Sequence, residues 1–354
     1  MSDVFNHPWL SGLFGDAEVD SIWSGERSLA HMLAFEAAYS RGLGLIGNAS
    51  PEEARMAAEW IEQAKPRMED LRSGTLQDGL PIPALVRGLK ADAGSFAGAI
   101  HSGTTSQDVI DTALAMTLRE NSDLLMARLS GLIGRLDQLI ESFGTNTLMG
   151  RTRMQAALPI TAGHRIASWR APLKAHQNRL AQIRPHIECV QLGGAVGDCQ
   201  AIGAGHRDLA AFIADALHLH LPDQSWHSAR DGIAEYANLL SLVTGALGKI
   251  GQDICLMAQQ GIDEITLSGG GTSSAMPHKQ NPILAELLVT LARYNATQIA
   301  GMHQALVHEQ ERSGSAWPLE WMILPNMAKT SARSLSAAAD LCDRIVSIGN
   351  QSEG

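Results

Sequence analysis

The sequence lacks an excess of positive charge. Its 354 residues include 27 lysines and arginines against 37 aspartates and glutamates, a formal net charge of −10. Nucleic acid and anionic membranes attract basic surfaces, so this balance argues against either as the main partner. An anionic ligand would need a local pocket of arginine, lysine and histidine. The 45% of hydrophobic and 18% of charged residues are typical of an ordinary globular protein.

Cysteine motifs, a leader segment and a membrane-spanning run are also missing. The cysteines Cys189, Cys199, Cys255 and Cys342 are scattered without a CxxC motif, so we expect reduced thiols and a cytoplasmic protein. The opening residues, MSDVFNHPWLSG, contain no basic segment followed by an apolar run, so no signal peptide is predicted. We also expect no uninterrupted apolar stretch long enough to cross a bilayer.

Common cofactor and hydrolase motifs are absent as well. GxxxxGK[ST], HExxH and GxSxG do not occur, and QLGGAVG (191–197) does not fit GxGxxG. The thirteen histidines show no persuasive metal-ligand spacing. We therefore expect no metal and no cofactor.

Helix-forming residues dominate nearly the whole chain, which predicts an all-α fold. Helices are predicted over 18–42, 48–65 and part of 81–100, from 105 for nearly forty residues, and over roughly 159–189, 229–260 and 282–311. Ser50, followed by Pro51, is a capping signal at the start of the 48–65 helix. Thirty helical residues form a rod of about 45 Å. Several such rods need a long bundle and partner subunits to bury their faces. We expect an N-terminal helical domain over 1–104 and a central long-helix bundle over 105–345.

The segment SGGGTSSAMPHKQNP (268–282) interrupts this helical pattern with reactive side chains. Three glycines permit a mobile loop with unusual backbone angles. Asn281 followed by Pro282 favours a helix start, which places Lys279 and Asn281 beside the positive end of a helix. The segment therefore predicts an anion site, whereas a plain surface linker would have no use for these residues.

The segment AIHSGTTSQD (99–108) is a second polar interruption. His101 is titratable near neutral pH, and Thr104, Thr105 and Ser106 supply hydroxyls just before a helix. Thr105 and Asp108 fit a capping box, and capping alone would also explain the hydroxyls.

Further polar segments, which we expect to be loops between the helices, carry arginines. In LMGRTRMQAALP (148–159), Arg151 and Thr152 could clamp a carboxylate, although an ordinary surface arginine has the same sequence signature. Gln191 begins a glycine-rich loop over 191–206, and Arg312 lies among polar residues at a helix end in HEQERSGSAWPLEW (308–321).

The segment TSSAMPHKQNP (272–282) resembles the signature loop of the fumarase/aspartase superfamily, approximately GSSxMPxKxNP, with Thr272 in place of the first glycine. The resemblance covers most of the chain. It implies a homotetramer with a twenty-helix core and active sites shared between three subunits. It also implies a third, C-terminal domain, which we expect this chain to lack as a short form.

The resemblance also implies site residues and a chemistry. A proton moves at the carbon alpha to a carboxylate through an aci-carboxylate intermediate, with Ser273 as the proton-transfer residue, Lys279 as its stabilising cation and His101 as the second acid/base. The implied substrate-binding residues are Thr104, Thr105, Ser106, Arg151, Thr152, Gln191, Ser274, Met276, Asn281 and Arg312.

Within the superfamily, the polar segments are most similar to the 3-carboxy-cis,cis-muconate cycloisomerases, which act on a small tricarboxylate. The adenylosuccinate lyases, which release fumarate, are the alternative. Against them stand Arg153 and Ala156, where the lyase pattern has histidines, and Trp321, where it has an arginine. A helical assembly protein that retained the scaffold without activity is a third hypothesis, against which the intact serine, lysine and asparagine of the signature argue.

Overall fold

A computed structural model describes residues 4–272 and 280–350, and it is mostly helical, as the sequence predicts. The helices that precede the bundle are α1 (Ser11–Phe14), α2 (Ala17–Ile22), α3 (Gly25–Leu45), α4 (Pro51–Gln63), α5 (Met68–Asp78) and α6 (Ile82–Ala91), followed by a 3₁₀ turn at Gly94–Ala99. The predicted helix over 18–42 is interrupted because Ser24 caps α3 by accepting a hydrogen bond from the Arg27 N–H. The predicted cap at Ser50 is confirmed, since Ser50 and Glu53 form a capping box on α4.

Long helices form the central bundle, and each runs antiparallel to the long helix before it along the chain. They are α7 (Ser106–Phe143), α8 (Ala162–Ile187), α10 (Asp231–Met257), α11 (Ile283–Gln304) and α12 (Ala316–Asp343). Their facing sides bury a continuous leucine-rich and isoleucine-rich core around Trp169 and Tyr236. The shorter α9 (His206–Leu217) packs on α3 instead, so a second core joins this part of the chain to the N-terminal helices.

Short strand pairs lie at the ends of the long helices. The strands are β1 (Thr147–Thr152), β2 (Gln155–Thr161), β3 (Ile265–Leu267), β4 (Gly271–Thr272), β5 (Gln280–Asn281) and β6 (Ile345–Ile348), paired antiparallel as β1–β2, β3–β6 and β4–β5. The expectation of a polar loop over 148–159 is therefore wrong, because this segment is an antiparallel hairpin. Its turn, Arg153–Met154, has positive φ at both residues, which matches the twist of the two strands but lacks the usual glycine or asparagine.

By length and composition alone, helix α10 is apolar enough to cross a bilayer, although Lys249 and Asp253 interrupt its apolar residues. The physical reason lies in its position, because α10 packs against α8, α11 and α12 and needs apolar residues on several sides. The core helix of a bundle has the same composition as a membrane span.

The contact between α10 and α11 depends on small residues. A Cβ on Gly251 would lie 2.4 Å from the Ala285 carbonyl oxygen and 2.8 Å from the Leu288 Cβ. One on Gly248 would lie 2.5 Å from the Ala292 Cβ. The two helices approach so closely because these positions carry no side chain.

The Gly251→Ala substitution is expected to lower the free energy of unfolding by about 1–3 kcal/mol, since the added methyl group has to displace backbone. The matched control is Gly134→Ala on α7, where a Cβ would meet nothing within 4 Å. That change should raise the stability by up to about 1 kcal/mol through helix propensity. Urea denaturation of both variants measures the difference, and equal stabilities would contradict the packing described.

Candidate active site

The buried carboxylate of Asp108 organises the polar end of the bundle at the start of α7. It is fully buried. Among the described residues, its donors are the Thr104 hydroxyl at 2.9 Å, the N–H groups of Thr105 at 3.0 Å, Gly193 at 2.8 Å and Gly194 at 3.0 Å, and His227 Nε2 at 2.8 Å. The predicted capping box between Thr105 and Asp108 is confirmed. The same carboxylate also fixes two other chain segments, which the capping pattern does not predict.

The close packing of neighbouring residues explains why the 191–206 loop has a glycine at position 193. A Cβ on Gly193 would lie 2.5 Å from Ser225 Oγ and 2.8 Å from His227 Cε1. Only a residue without a side chain can present its N–H to Asp108 at this distance. The loop is therefore a structural support for the start of α7.

Arg312 reaches the same place from the loop between α11 and α12. Its Nε donates to Gln107 Oε1 at 2.9 Å, and its Nη2 donates to the carbonyl oxygens of Ala195 at 3.1 Å and Gly194 at 3.4 Å. Its Nη1 donates to no acceptor among the described residues. Arg312 therefore carries an available N–H group beside the N-terminus of α7, which itself attracts anions.

A fully buried charge cluster lies beneath Gln107. Arg230 donates to both oxygens of Asp111, at 2.8 and 3.2 Å, and to both oxygens of Glu320, at 2.9 and 2.5 Å. Burial raises the pKa of Glu320 above its ordinary value, against the opposing effect of Arg230. Burial also lowers the pKa of the neighbouring His308, and the charge of Arg230 adds to that effect.

His101 and Gln191 belong to the same end of the bundle. His101 has a positive φ of 54°, and its Nδ1 lies 2.6 Å from Oε1 of the buried Glu36, so Nε2 is the ring nitrogen available to a ligand. Gln191 is fully buried, and its Oε1 accepts from the Trp226 N–H at 3.0 Å. Its Nε2 has no partner among the described residues.

The remaining described candidates lie at the opposite end. Arg151 and Thr152 are the last residues of β1, where Arg151 Nη1 donates to the Glu264 carboxylate and to the Met149 carbonyl oxygen. Asn281 lies in β5 opposite Gly271, so α11 begins after it, with Pro282 at the N-cap position that Asn281 was predicted to occupy. Ser273, Ser274, Met276 and Lys279 lie outside the described residues.

The two groups of candidates are separated by the length of α7. Thr105 precedes its first residue and β1 begins just after its last, and the 38 residues between them form a rod of about 57 Å. Helix α12 runs parallel to α7 along the same path, since Trp317 near its start bonds to Asp111 and Asp343 at its end bonds to Arg135. Within one chain, therefore, Thr105 and Arg151 cannot contact one small ligand.

Sequence reasoning missed Gln107, Asp111, His227, Arg230 and Glu320. For Gln107, Asp111 and Glu320 the available signal was a polar side chain on a helix face that otherwise follows an apolar period, since buried polar groups need partners. Over residues 4–272 and 280–350, no three histidine, cysteine, aspartate or glutamate side chains form a group that could hold a metal ion.

Known proteins resemble the chain over nearly its whole length. A family model described as a lyase matches residues 85–301. The chain is 34% identical to a 3-carboxy-cis,cis-muconate cycloisomerase of Pseudomonas aeruginosa, over 97% of this chain and 76% of that protein. It is 30% identical to an N-acetyl-S-(2-succino)cysteine lyase of Enterococcus italicus, over 97% of this chain and 76% of that protein.

Among solved structures, the 3-carboxy-cis,cis-muconate lactonizing enzyme of Pseudomonas putida superposes with a TM-score of 0.89 at 31% identity, and the match covers 96% of this chain and 77% of that one. The likeness therefore extends to the folded backbone.

The Asp108→Asn substitution is expected to lower the free energy of unfolding by about 2–4 kcal/mol, because the amide NH₂ would face backbone N–H donors in a buried place. Asp70→Asn is the matched control, since Asp70 is an exposed carboxylate that pairs with Arg67 and should contribute less than about 1 kcal/mol. Urea denaturation measures both. Equal losses would show that Asp108 does not hold the three segments together.

Proposed function

The chain belongs to the fumarase/aspartase superfamily of lyases, and we propose that it closes 3-carboxy-cis,cis-muconate into 4-carboxymuconolactone, a step in protocatechuate catabolism. The observation that carries this proposal is the oriented guanidinium of Arg312 beside the N-terminus of α7, with the Thr104, Thr105 and Ser106 segment next to it. This arrangement suits a polycarboxylate anion. The cycloisomerase relatives support the choice of substrate.

The proposed reaction needs only one proton transfer to carbon. A carboxylate oxygen forms a C–O bond at the far carbon of a double bond that is conjugated with a second carboxylate. The π electrons move onto that second carboxylate as an aci-carboxylate, and a proton then adds to the carbon alpha to it. Ser273 is the proposed proton donor and Lys279 stabilises its alkoxide. Both assignments rest on the family resemblance.

The other proposed roles follow from charge. Arg312, Asn281 and the hydroxyls at the start of α7 bind substrate carboxylates, with Gln191 as a further amide donor and Ser274, Met276 and Thr152 completing the site. Arg151 shares its charge with Glu264, so it contributes less positive charge than a free arginine would. His101 remains available as a second acid/base, although lactonisation needs no base for the attack, because the attacking group is already a carboxylate.

The site is proposed to form between copies of the chain. Thr105 and Arg151 lie at opposite ends of a rod of about 57 Å. A second copy packed antiparallel alongside would place its hairpin next to the first copy's α7 start. Residues 151–159 of this hairpin are exposed throughout, with Met154 and Leu158 each 73% exposed, as expected of an arm that contacts a neighbour. We propose the homotetramer of the superfamily.

A lyase that releases fumarate is the second candidate. The N-acetyl-S-(2-succino)cysteine lyase relative favours this reading, since its name indicates elimination from a succinyl group. Against an adenylosuccinate lyase stands Trp321, which packs edge-on against Trp317 at 4.8 Å and lines an apolar groove where the lyase pattern has an arginine. Fumarate release from either substrate would establish this alternative.

Turnover of 3-carboxymuconate is expected to consume about one proton per lactone formed, because a trianion becomes a dianion. The loss of diene absorbance and the uptake of acid in a pH-stat measure both quantities. Ser273→Ala should remove at least about 99% of the rate without changing the fold. Fumarate formation without proton uptake would instead identify the lyase reaction, and full activity of the variant would reject the serine assignment.

Subunit sharing predicts complementation. When the rate is assayed at substrate concentrations far below the wild-type KM, Arg312→Ala and Thr152→Ala homo-oligomers should each lose most of it, because each lacks a group that binds the substrate. Co-expressed mixtures should recover roughly a quarter of the wild-type rate, because random assembly places two intact partners together at that frequency. The rate per enzyme measures the recovery. The control is a chain that carries both substitutions and is expressed alone. Mixtures that are as inactive as this control would contradict a shared site.

A further inference from the structure

We propose that Gln107 is a positioning residue that fixes the direction of the Arg312 guanidinium toward the substrate. The inference deepens the proposed function, because it assumes that Arg312 binds a substrate carboxylate. Gln107 is fully buried, so it does not contact substrate itself. Its side-chain amide stands between Arg312 and the charge cluster around Arg230.

The amide of Gln107 has only one favourable orientation. Its Nε2 donates to Asp111 Oδ2 at 3.0 Å and to the His227 carbonyl oxygen at 2.9 Å. Rotation of the amide by 180° would set its oxygen against both of these acceptors, and its NH₂ against the Arg312 N–H. The oxygen of Gln107 is therefore directed at Arg312 Nε, which lies 2.9 Å away.

The cluster beneath makes this orientation rigid. Asp111 is fully buried and also accepts from Trp317 Nε1 at 3.1 Å. Arg230 holds Asp111 and Glu320 together, and its side chain is 1% exposed. Because Arg230, Asp111 and Gln107 are all buried, the position of Asp111 determines the position of Gln107, and the Gln107 oxygen then holds one edge of the exposed Arg312 guanidinium.

The orientation matters because Arg312 uses two of its nitrogens for the protein. Nε bonds to Gln107, and Nη2 bonds to the carbonyl oxygens of Gly194 and Ala195, which leaves Nη1 without an acceptor among the described residues. Without Gln107, the guanidinium can rotate about the side-chain torsions of Arg312. Binding of a substrate carboxylate must then immobilise this side chain, which costs conformational entropy. Since a carboxylate is charged before and during the reaction, this loss should weaken binding rather than slow turnover.

The test is Gln107→Met, which keeps the size of the side chain and removes its amide. We expect KM for 3-carboxymuconate to rise about 10- to 100-fold with kcat within about threefold of wild type. Gln177→Met, which removes the bond from a partly exposed glutamine on α8 to Ser130 Oγ, should change neither constant. A fall in kcat at unchanged KM would mean that Gln107 only supports the fold, and would overturn the proposal.

A double-variant cycle separates action through Arg312 from action by another route. Arg312→Met should raise KM at least as much as Gln107→Met, and the combined variant should be no worse than Arg312→Met alone. Additive effects would overturn the proposal. Circular dichroism and melting temperature of each variant establish that it is folded.

A crystal structure of Gln107→Met provides a readout that does not depend on the substrate. The guanidinium of Arg312 should leave the carbonyl oxygens of Gly194 and Ala195 or occupy several positions. An unchanged Arg312 would overturn the inference even if the cycloisomerase activity is present. If wild-type protein does not turn over 3-carboxymuconate, the proposed function fails, while this structure still decides the role of Gln107.

Discussion

The length of the central helices is the constraint on which the rest of the structure depends. Helix α7 forms a rod of about 57 Å, far longer than any small carboxylate, and polar residues collect at both of its ends. One chain cannot close these two ends around one substrate. Side-by-side packing of copies would bury the exposed faces of the rods and bring opposite ends together, so a single geometric requirement would account for both the assembly and the site.

At the end that one chain completes by itself, buried charge takes the place of apolar packing. The loops around 99–108 and 191–206 contain few large apolar residues, so they are held by the carboxylate of Asp108 and its described donors. Removing a carboxylate from water costs several kcal/mol, and only a full set of donors offsets that cost. The Arg230 cluster follows the same principle. Such networks contribute a fixed geometry more than they contribute stability, which is what a site for an anion requires.

The sequence predicted features that depend on neighbours along the chain. The start of α7 at Thr105 and the cap at Ser50 were identifiable because a capping box needs residues only three positions apart. The partners of Asp108 were not, since Gly193 and His227 lie 85 and 119 residues away and no spacing rule connects them. The hairpin was missed for a local reason, because its turn has no glycine or asparagine to mark it. The composition of α10 does not by itself identify the surroundings of the helix, because a bundle core and a bilayer select the same residues.

The central claim is that one active site takes residues from opposite ends of different chains. A cryo-electron microscopy reconstruction of the purified protein with bound tricarballylate tests it most directly. The account predicts a symmetric oligomer in which Arg312 of one chain and the β1–β2 hairpin of another line the same cavity, both within about 10 Å of the bound anion. A monomer that binds the anion, or an oligomer in which every hairpin lies away from every Arg312, would contradict it.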